Sequence, residues 1–282
     1  MSTKLPAQRG YFDSGDGLRL YAEHDPLAAP RARLLLVHGF ADHCARYRAL
    51  SELLNDQGYA CHRFDLRGHG RSEGKRGHIY RFDDYLRDFA AFRAQVDAEH
   101  AIDGPTYILA HSYGALIAAS AAIRSAEGIA GMVLSSPFLA AAIKIPAWKR
   151  TIGELCSKYL PAIALPTGLP AEWMSHDPAT IQEYGTDPLI GRVASARWLT
   201  ETEAAQAAAI AGAGAITVPV LVQQAAADRI VSVDAARRLY DAIGSKDKTW
   251  TAYDGLYHEI WFEKNREPVY AELRRWLADH IG

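Results

Sequence analysis

The first half of the chain alternates short apolar runs with longer stretches of helical periodicity. Leu34–Val37 is an unbroken apolar run that stops at His38-Gly39, and Tyr59–Phe64 reads as a second strand. Between them, Tyr47–Gln57 follows a helical spacing that Gly58 ends. Phe82–His100 sets Phe82, Tyr85, Leu86, Phe89, Phe92 and Val96 on one helical face. Thr106–Ala110 predicts a strand that passes directly into a helix over Tyr113–Arg124, and Ile129–Ser135 predicts the next strand. Strands separated by helices of this length imply the α/β class, with a mainly parallel sheet.

That rhythm breaks between about Pro137 and Thr200, where prolines multiply and helical fragments occur without a strand pattern. It returns with strands at Val218–Gln223 and Thr249–Tyr253, and helices at Val233–Ile243 and Pro268–His280. The simplest organisation is one α/β core built from residues 1–136 and 206–282, with a helical cap of residues 137–205 inserted between its parts. No internal repeat or low-complexity segment interrupts it. With 49% hydrophobic and 23% charged residues, the chain has the balance of a soluble globular protein. Its net charge of -2 supplies no field for gripping a polyanion, so no nucleic-acid partner is expected. The 3 cysteines, Cys44, Cys61 and Cys156, lack paired spacing, which speaks against a disulfide framework or a structural zinc site and for a reducing compartment. Met1–Gly10 has no apolar core of the signal-peptide kind, and no apolar run reaches the roughly 18 residues of a membrane span. A cytoplasmic location follows as the expectation.

The segment Ile108–Ala115 carries the most chemistry. Ser112 stands where a strand turns into a helix, between Ala110 and Gly114, two residues before and after it. So sharp a turn admits only small neighbours and pushes the hydroxyl out above the sheet edge, beside the first amides of the helix. The alternative is that Ser112 merely caps that helix, as serines often do. A nucleophilic serine needs a base, and the base an acid to hold its tautomer. Asp228 follows the Val218–Gln223 strand and His258 follows the Thr249–Tyr253 strand, in the order nucleophile, acid, base. Asp234 and Asp254 compete with Asp228, but the first sits where it could cap the next helix and the second precedes Gly255 as a turn residue. The Tyr113 amide is one candidate oxyanion donor. The Phe40 amide, after the turn His38-Gly39, is the other. His38 and His43 lack the spacing and the carboxylate or thiol companions of a metal site, and neither metal nor organic cofactor is required. Gly68-His69-Gly70 follows a strand, yet Glu73 occupies the place of the third glycine of a dinucleotide fingerprint, so no such site is expected.

Together with the serine turn, several motifs resemble the monoglyceride lipase branch of the α/β-hydrolases: His38-Gly39-Phe40, Gly68–Gly74, Arg76-Gly77-His78, Phe82–Tyr85, His111–Gly114, Asp187-Pro188-Leu189, Ala227-Asp228 and Tyr257-His258-Glu259. The similarity runs from about Gly15 to Leu277 and weakens between Leu139 and Asp177. It departs at Ala110 and Ala225, where glycines are common. The resemblance implies a mainly parallel eight-stranded sheet flanked by helices, with an inserted cap. It makes Ser112 the nucleophile, Asp228 the acid, His258 the base, and Phe40 and Tyr113 the oxyanion donors. It also implies cleavage of monoacylglycerols or related lysolipids under a mobile hydrophobic cap.

The cap adds its own signal. Ile145, Trp148, Ile152, Leu155 and Tyr159 form an apolar stripe at helical spacing, with Lys144, Lys149, Arg150 and Lys158 largely between them. Such a segment could touch an anionic lipid surface transiently, or simply pack on the core. The expected activity is hydrolysis of a monoacylglycerol through an acyl-enzyme on Ser112. A lysophospholipase or a short-chain carboxylesterase is the alternative within the class. A proline-releasing peptidase shares the scaffold, but the cap shows no acidic cluster for a free amino terminus. A non-catalytic receptor for a small apolar ligand would have no need of Ser112, Asp228 and His258 together.

Overall fold

A computed structural model describes residues 2–143 and 147–281. The chain forms, in order, β1 (Gln8–Asp13), β2 (Arg19–Asp25), β3 (Ala32–Val37), α1 (Arg48–Asn55), β4 (Tyr59–Phe64), α2 (Asp83–Glu99), β5 (Thr106–His111), α3 (Tyr113–Arg124) and β6 (Gly131–Ser135). Then come α4 (Ala147–Tyr159), β7 (Ala164–Pro166), α5 (Pro178–Thr186), β8 (Val193–Ser195), α6 (Ala196–Gly212), β9 (Val220–Ala225), α7 (Val233–Ala242), β10 (Lys248–Tyr253) and α8 (Glu267–Ile281).

Eight strands make one sheet in the order β1-β2-β4-β3-β5-β6-β9-β10. The six from β4 to β10 are parallel, and β2 joins β4 antiparallel. The central strands are buried on both faces, which is why they read as continuous apolar runs. Their side chains alternate between two cores. Leu35, Val37, Ile108, Ala110, Leu134 and Val222 pack with residues of α2, α3, α6 and α7 on one face. Leu34, Leu36, Leu109, Val133 and Leu221 pack with residues of α1 and α8 on the other. The fold is that of an α/β-hydrolase.

Two sets of strands lie outside the sequence reading. The hairpin of β1 and β2 forms the sheet edge, and β1 is almost wholly exposed, so it leaves no apolar run to read. In the cap, β7 and β8 are three residues each and pair antiparallel, too short to show a period. Helix α6 runs unbroken through the 205/206 boundary expected from the sequence.

Candidate active site

Ser112 follows the last residue of β5 and precedes the first of α3, with φ 52° and ψ -112°. Such a conformation costs about 1–3 kcal/mol for a residue with a side chain, and it persists because the surroundings fix it. The Ser112 amide donates to the Ser135 carbonyl at 2.8 Å, and its own carbonyl accepts from the Phe138 amide at 3.1 Å. Gly114 cannot be larger: a Cβ there would lie 2.3 Å from the Val37 carbonyl oxygen. Ala110 is fully buried opposite Val37, and its methyl is accommodated in the core. Although Ser112 occupies the position before α3, its hydroxyl makes no capping bond. It meets His258 Nε2 at 2.9 Å instead.

His258 Nδ1 donates to Asp228 Oδ2 at 2.8 Å. The other carboxylate oxygen, Asp228 Oδ1, accepts from the amides of Ile230 and Val231 at 2.8 and 2.9 Å. Every lone-pair direction that matters for aiming the ring is thereby occupied. Burial alone would push the His258 pKa down, but the charge and hydrogen bond of Asp228 outweigh it and hold it above the ordinary 6.5. The competitors stand elsewhere. Ser232 rather than Asp234 caps α7, accepting from the Ala235 amide, while Asp234 sits in its first turn. Asp254 lies in the turn before Gly255, which has φ 73°.

The turn after β3 closes the other side. A Cβ on Gly39 would come within 3.2 Å of Ser112 Cβ, so the backbone of this turn passes directly against the serine. No acceptor among the described residues takes the amides of Phe40 and Tyr113. Among the described residues, Ala41, Ser112 and Ser136 are the positive-φ positions outside glycine, and each follows a strand at this same edge. His38 is structural: its Nε2 accepts from the Leu66 amide at 2.9 Å and its Nδ1 donates to the Gly39 carbonyl at 2.7 Å. His43 Nε2 meets Asp187 of the cap at 3.0 Å. The Gly68–Ser72 loop is also scaffold, since Asp65 takes the amides of Cys44 and Arg71 at 2.7 Å each, and a Cβ on Gly70 would strike that carboxylate.

Above Ser112 opens a cavity of about 290 Å³, lined on its apolar side by Phe40, Phe138, Ile143, Leu169, Met174, Trp198, Leu199 and Ile230. Trp198 of α6 lies over Phe40, with ring centroids 3.9 Å apart. The polar lining includes Asp42, Tyr184, Arg229 and Glu259. Two of these carboxylates are bound to one buried guanidinium: Arg46 forks onto Glu259 with two bonds of 2.8 Å and reaches Asp42 at 3.1 Å. Burial would raise the Asp42 pKa, yet Arg46 pulls it down to about 2. This ion network escaped the sequence reading, as did Trp198 and Arg229. The Asp42–Arg46 spacing of four was a weak local hint, whereas Glu259 lies far along the chain.

The sheet order, the strained serine and the cavity above it define a hydrolase of the α/β-hydrolase class. Comparison then places the chain within it: residues 28–265 match the family described as serine aminopeptidase, S33, and the chain belongs to that family. It is 29% identical to a monoacylglycerol lipase of Mycolicibacterium smegmatis, over 96% of each chain. It is equally identical, at 29%, to phospholipase YtpA of Bacillus subtilis, over 89% of this chain and 97% of that one. The crystal structure of a monoacylglycerol lipase from Paleococcus ferrophilus superposes with a TM-score of 0.84 at 30% identity, over 93% of this chain and 99% of that one. The chain is a monoglyceride lipase-like, ester-hydrolysing enzyme. No helix among the described residues is long and apolar enough to cross a membrane.

Proposed function

We propose that the protein hydrolyses monoacylglycerols to fatty acid and glycerol through an acyl-enzyme on Ser112. The observation that carries this reading is the continuous chain from Asp228 through His258 to the Ser112 hydroxyl, opening into an apolar cavity. In the first step His258 Nε2 takes the Ser112 proton as Oγ bonds to the ester carbonyl carbon. Asp228 holds the imidazole and stabilises the imidazolium. The carbonyl oxygen becomes an oxyanion beside the Phe40 and Tyr113 amides. His258 then protonates the departing glycerol oxygen as the ester bond breaks. Water repeats the sequence on the acyl-enzyme and frees the fatty acid. None of these steps calls for a metal or organic cofactor.

The cavity is at the small end of the roughly 300–1,000 Å³ usual for small-molecule sites, which suits one acyl chain. Its polar lining suits the hydroxyls of a glycerol head group. The peptidase reading finds little support, because Asp42 and Glu259 are already committed to Arg46 and leave no free carboxylate among the described cavity residues for an amino terminus. A lysophospholipase reading has one observation in its favour. Arg229 is exposed at the cavity lining, its guanidinium 4.5 Å from the Tyr257 ring centroid, with no ion pair to a described residue. A lipid phosphate could meet it there.

We read residues 1–136 and 206–282 as the catalytic core and 137–205 as the cap, with α6 shared between them. On α4, Trp148, Ile152, Leu155 and Tyr159 are 63%, 52%, 54% and 68% exposed, so the apolar stripe faces outward rather than onto the core. Lys144 and Ile145 lie outside the described residues. An outward apolar stripe supports transient contact of a cytoplasmic enzyme with a membrane surface, where its substrate resides.

The test is fatty-acid release from monoacylglycerols of increasing chain length, with lysophosphatidylcholine and Ser112→Ala alongside. A preference for monoacylglycerols that vanishes in the variant is expected. Release from lysophosphatidylcholine alone would move the assignment to lysophospholipase, and reaction of Ser112→Ala with a fluorophosphonate would remove the nucleophile.

A further inference from the structure

At the opposite edge of the sheet three histidines meet. His24 near the end of β2 and His62 in β4 are direct partners in the antiparallel register, so their side chains share the face covered by α2. His100 terminates α2 and brings its ring to 4.5 Å from that of His24 and 4.8 Å from that of His62. His24 Nδ1 and His62 Nδ1 stand 3.0 Å apart, so without a shared partner one must carry a proton and the other accept it. Even then His62 Nε2 and His100 Nε2 remain buried with no hydrogen-bond partner among the described residues.

One ring nitrogen from each histidine lies within 4.8 Å of the other two. We propose that His24, His62 and His100 form a binding site for a divalent transition-metal ion of the imidazole-preferring kind, zinc foremost, with water as the fourth ligand. Zinc holds imidazole nitrogens at about 2.0–2.1 Å in a tetrahedron, which sets them about 3.3 Å apart. The Nδ1 atoms of His24 and His62, 3.0 Å apart, are already near that spacing, so the orphan the ion would take up is His100 Nε2. His100 has left the helical conformation, at φ -133° and ψ 43°, and is only half-buried, so its ring can close the remaining gap. A metal ligand must be the neutral imidazole, and burial at this edge disfavours the charged form of each ring. Two cations flank the site, but Arg63 is paired with Glu23 and Asp25, and Arg33 with Asp97. An ion here would tie the edge hairpin to β4 and to the end of α2.

The site is remote from Ser112. Arg33, the second residue of β3, bonds Thr106 at the start of β5 and the His100 carbonyl, whereas Ser112 lies beyond the far end of β5. A strand of this length spans about 15–20 Å. The ion is therefore expected to act on stability and to leave ester hydrolysis unchanged.

The experiment uses the full chain, free of any affinity tag and stripped with chelator, titrated with Zn²⁺ by calorimetry and with Co²⁺ by visible absorption. One ion per chain is expected, with the d–d bands of a tetrahedral nitrogen-rich site and a Tm raised by about 5 °C at saturating zinc. Removing even an indirect partner of a metal ligand costs about 10–100-fold in affinity, so His100→Ala and His24→Gln should each lose at least that much. Unchanged turnover of a soluble ester by both variants reports an intact fold. No binding at millimolar zinc, undiminished binding in both variants, or binding that disappears only with His258→Ala would each overturn the proposal.

Discussion

At the carboxyl edge of the sheet, Ser112, Asp228 and His258 are enclosed, and the buried atoms that aim them are paired. On the outer face of α4, Trp148, Ile152, Leu155 and Tyr159 each keep more than half of their surface exposed. The first region spends backbone strain at Ser112 to hold one geometry. The second leaves apolar surface unburied and so contributes little to folding. On the proposed function the contrast separates two tasks: the core edge would fix the reaction, and the cap would meet the surface that brings the substrate.

Substitutions can break or sharpen that contrast, and the largest effect belongs to the serine. Ser112→Ala should lower kcat by about 10⁴–10⁶-fold with an unaltered thermal midpoint, measured by fatty-acid release and circular dichroism. Asp228→Asn keeps the shape but loses the charge, and should cost about 10⁴-fold in kcat. It also has a signature in pH. In the proposed mechanism His258 acts as base only when neutral, so kcat/KM should fall on the acid side as the ring takes up a proton. Asp228 holds that pKa above 6.5, and the wild-type acid limb should have its midpoint above 6.5. In Asp228→Asn the limb should move to lower pH; an unmoved limb would mean that another group titrates.

Arg46→Met attacks stability beside the site. It strands the Asp42 and Glu259 carboxylates in a buried place, and should destabilise the fold by about 3–5 kcal/mol in urea titrations. Trp198→Ala enlarges the acyl side of the cavity. It should cost about 10–100-fold in kcat/KM for long acyl chains and less for a short ester, so equal losses on both would place the tryptophan in a different role. The paired change Ile152→Ser and Leu155→Ser should move stability by no more than about 0.5 kcal/mol each, yet reduce sedimentation with anionic vesicles. A large loss of stability would show that the stripe is buried in solution.

The two regions also differed in how much of them could be read. Strand β4 and helix α3 fall where the periodicity puts them, because a strand buried on both faces and a helix begun by a forced turn both leave local signals. The proposed reacting groups were legible for the same reason: Ser112, Asp228 and His258 each follow a recognisable strand. The stripe on α4 was legible as a pattern, but its direction was not, since packing inward and facing outward give the same spacing. Arg46 with Glu259, and His24 with His62 and His100, were not legible at all. Their partners meet through sheet order and register, which no window of sequence contains.

The continuity of α6 has a mechanical consequence. A helix without a break from Ala196 to Gly212 carries residue 205 in its middle, so the chain changes role inside a rigid element rather than at a joint. Its first turn supplies Trp198 to the cavity, while Ala205 and Ala209 are anchored in the same buried cluster as α3. The upstream end is clamped as well. Ser195 Oγ accepts from the Trp198 amide and shares a hydrogen bond of 2.8 Å with His78 Nδ1, and the Ser195 amide donates to the Gly77 carbonyl. Both ends of α6 are thereby held, and Trp198 keeps a fixed seat over the cavity.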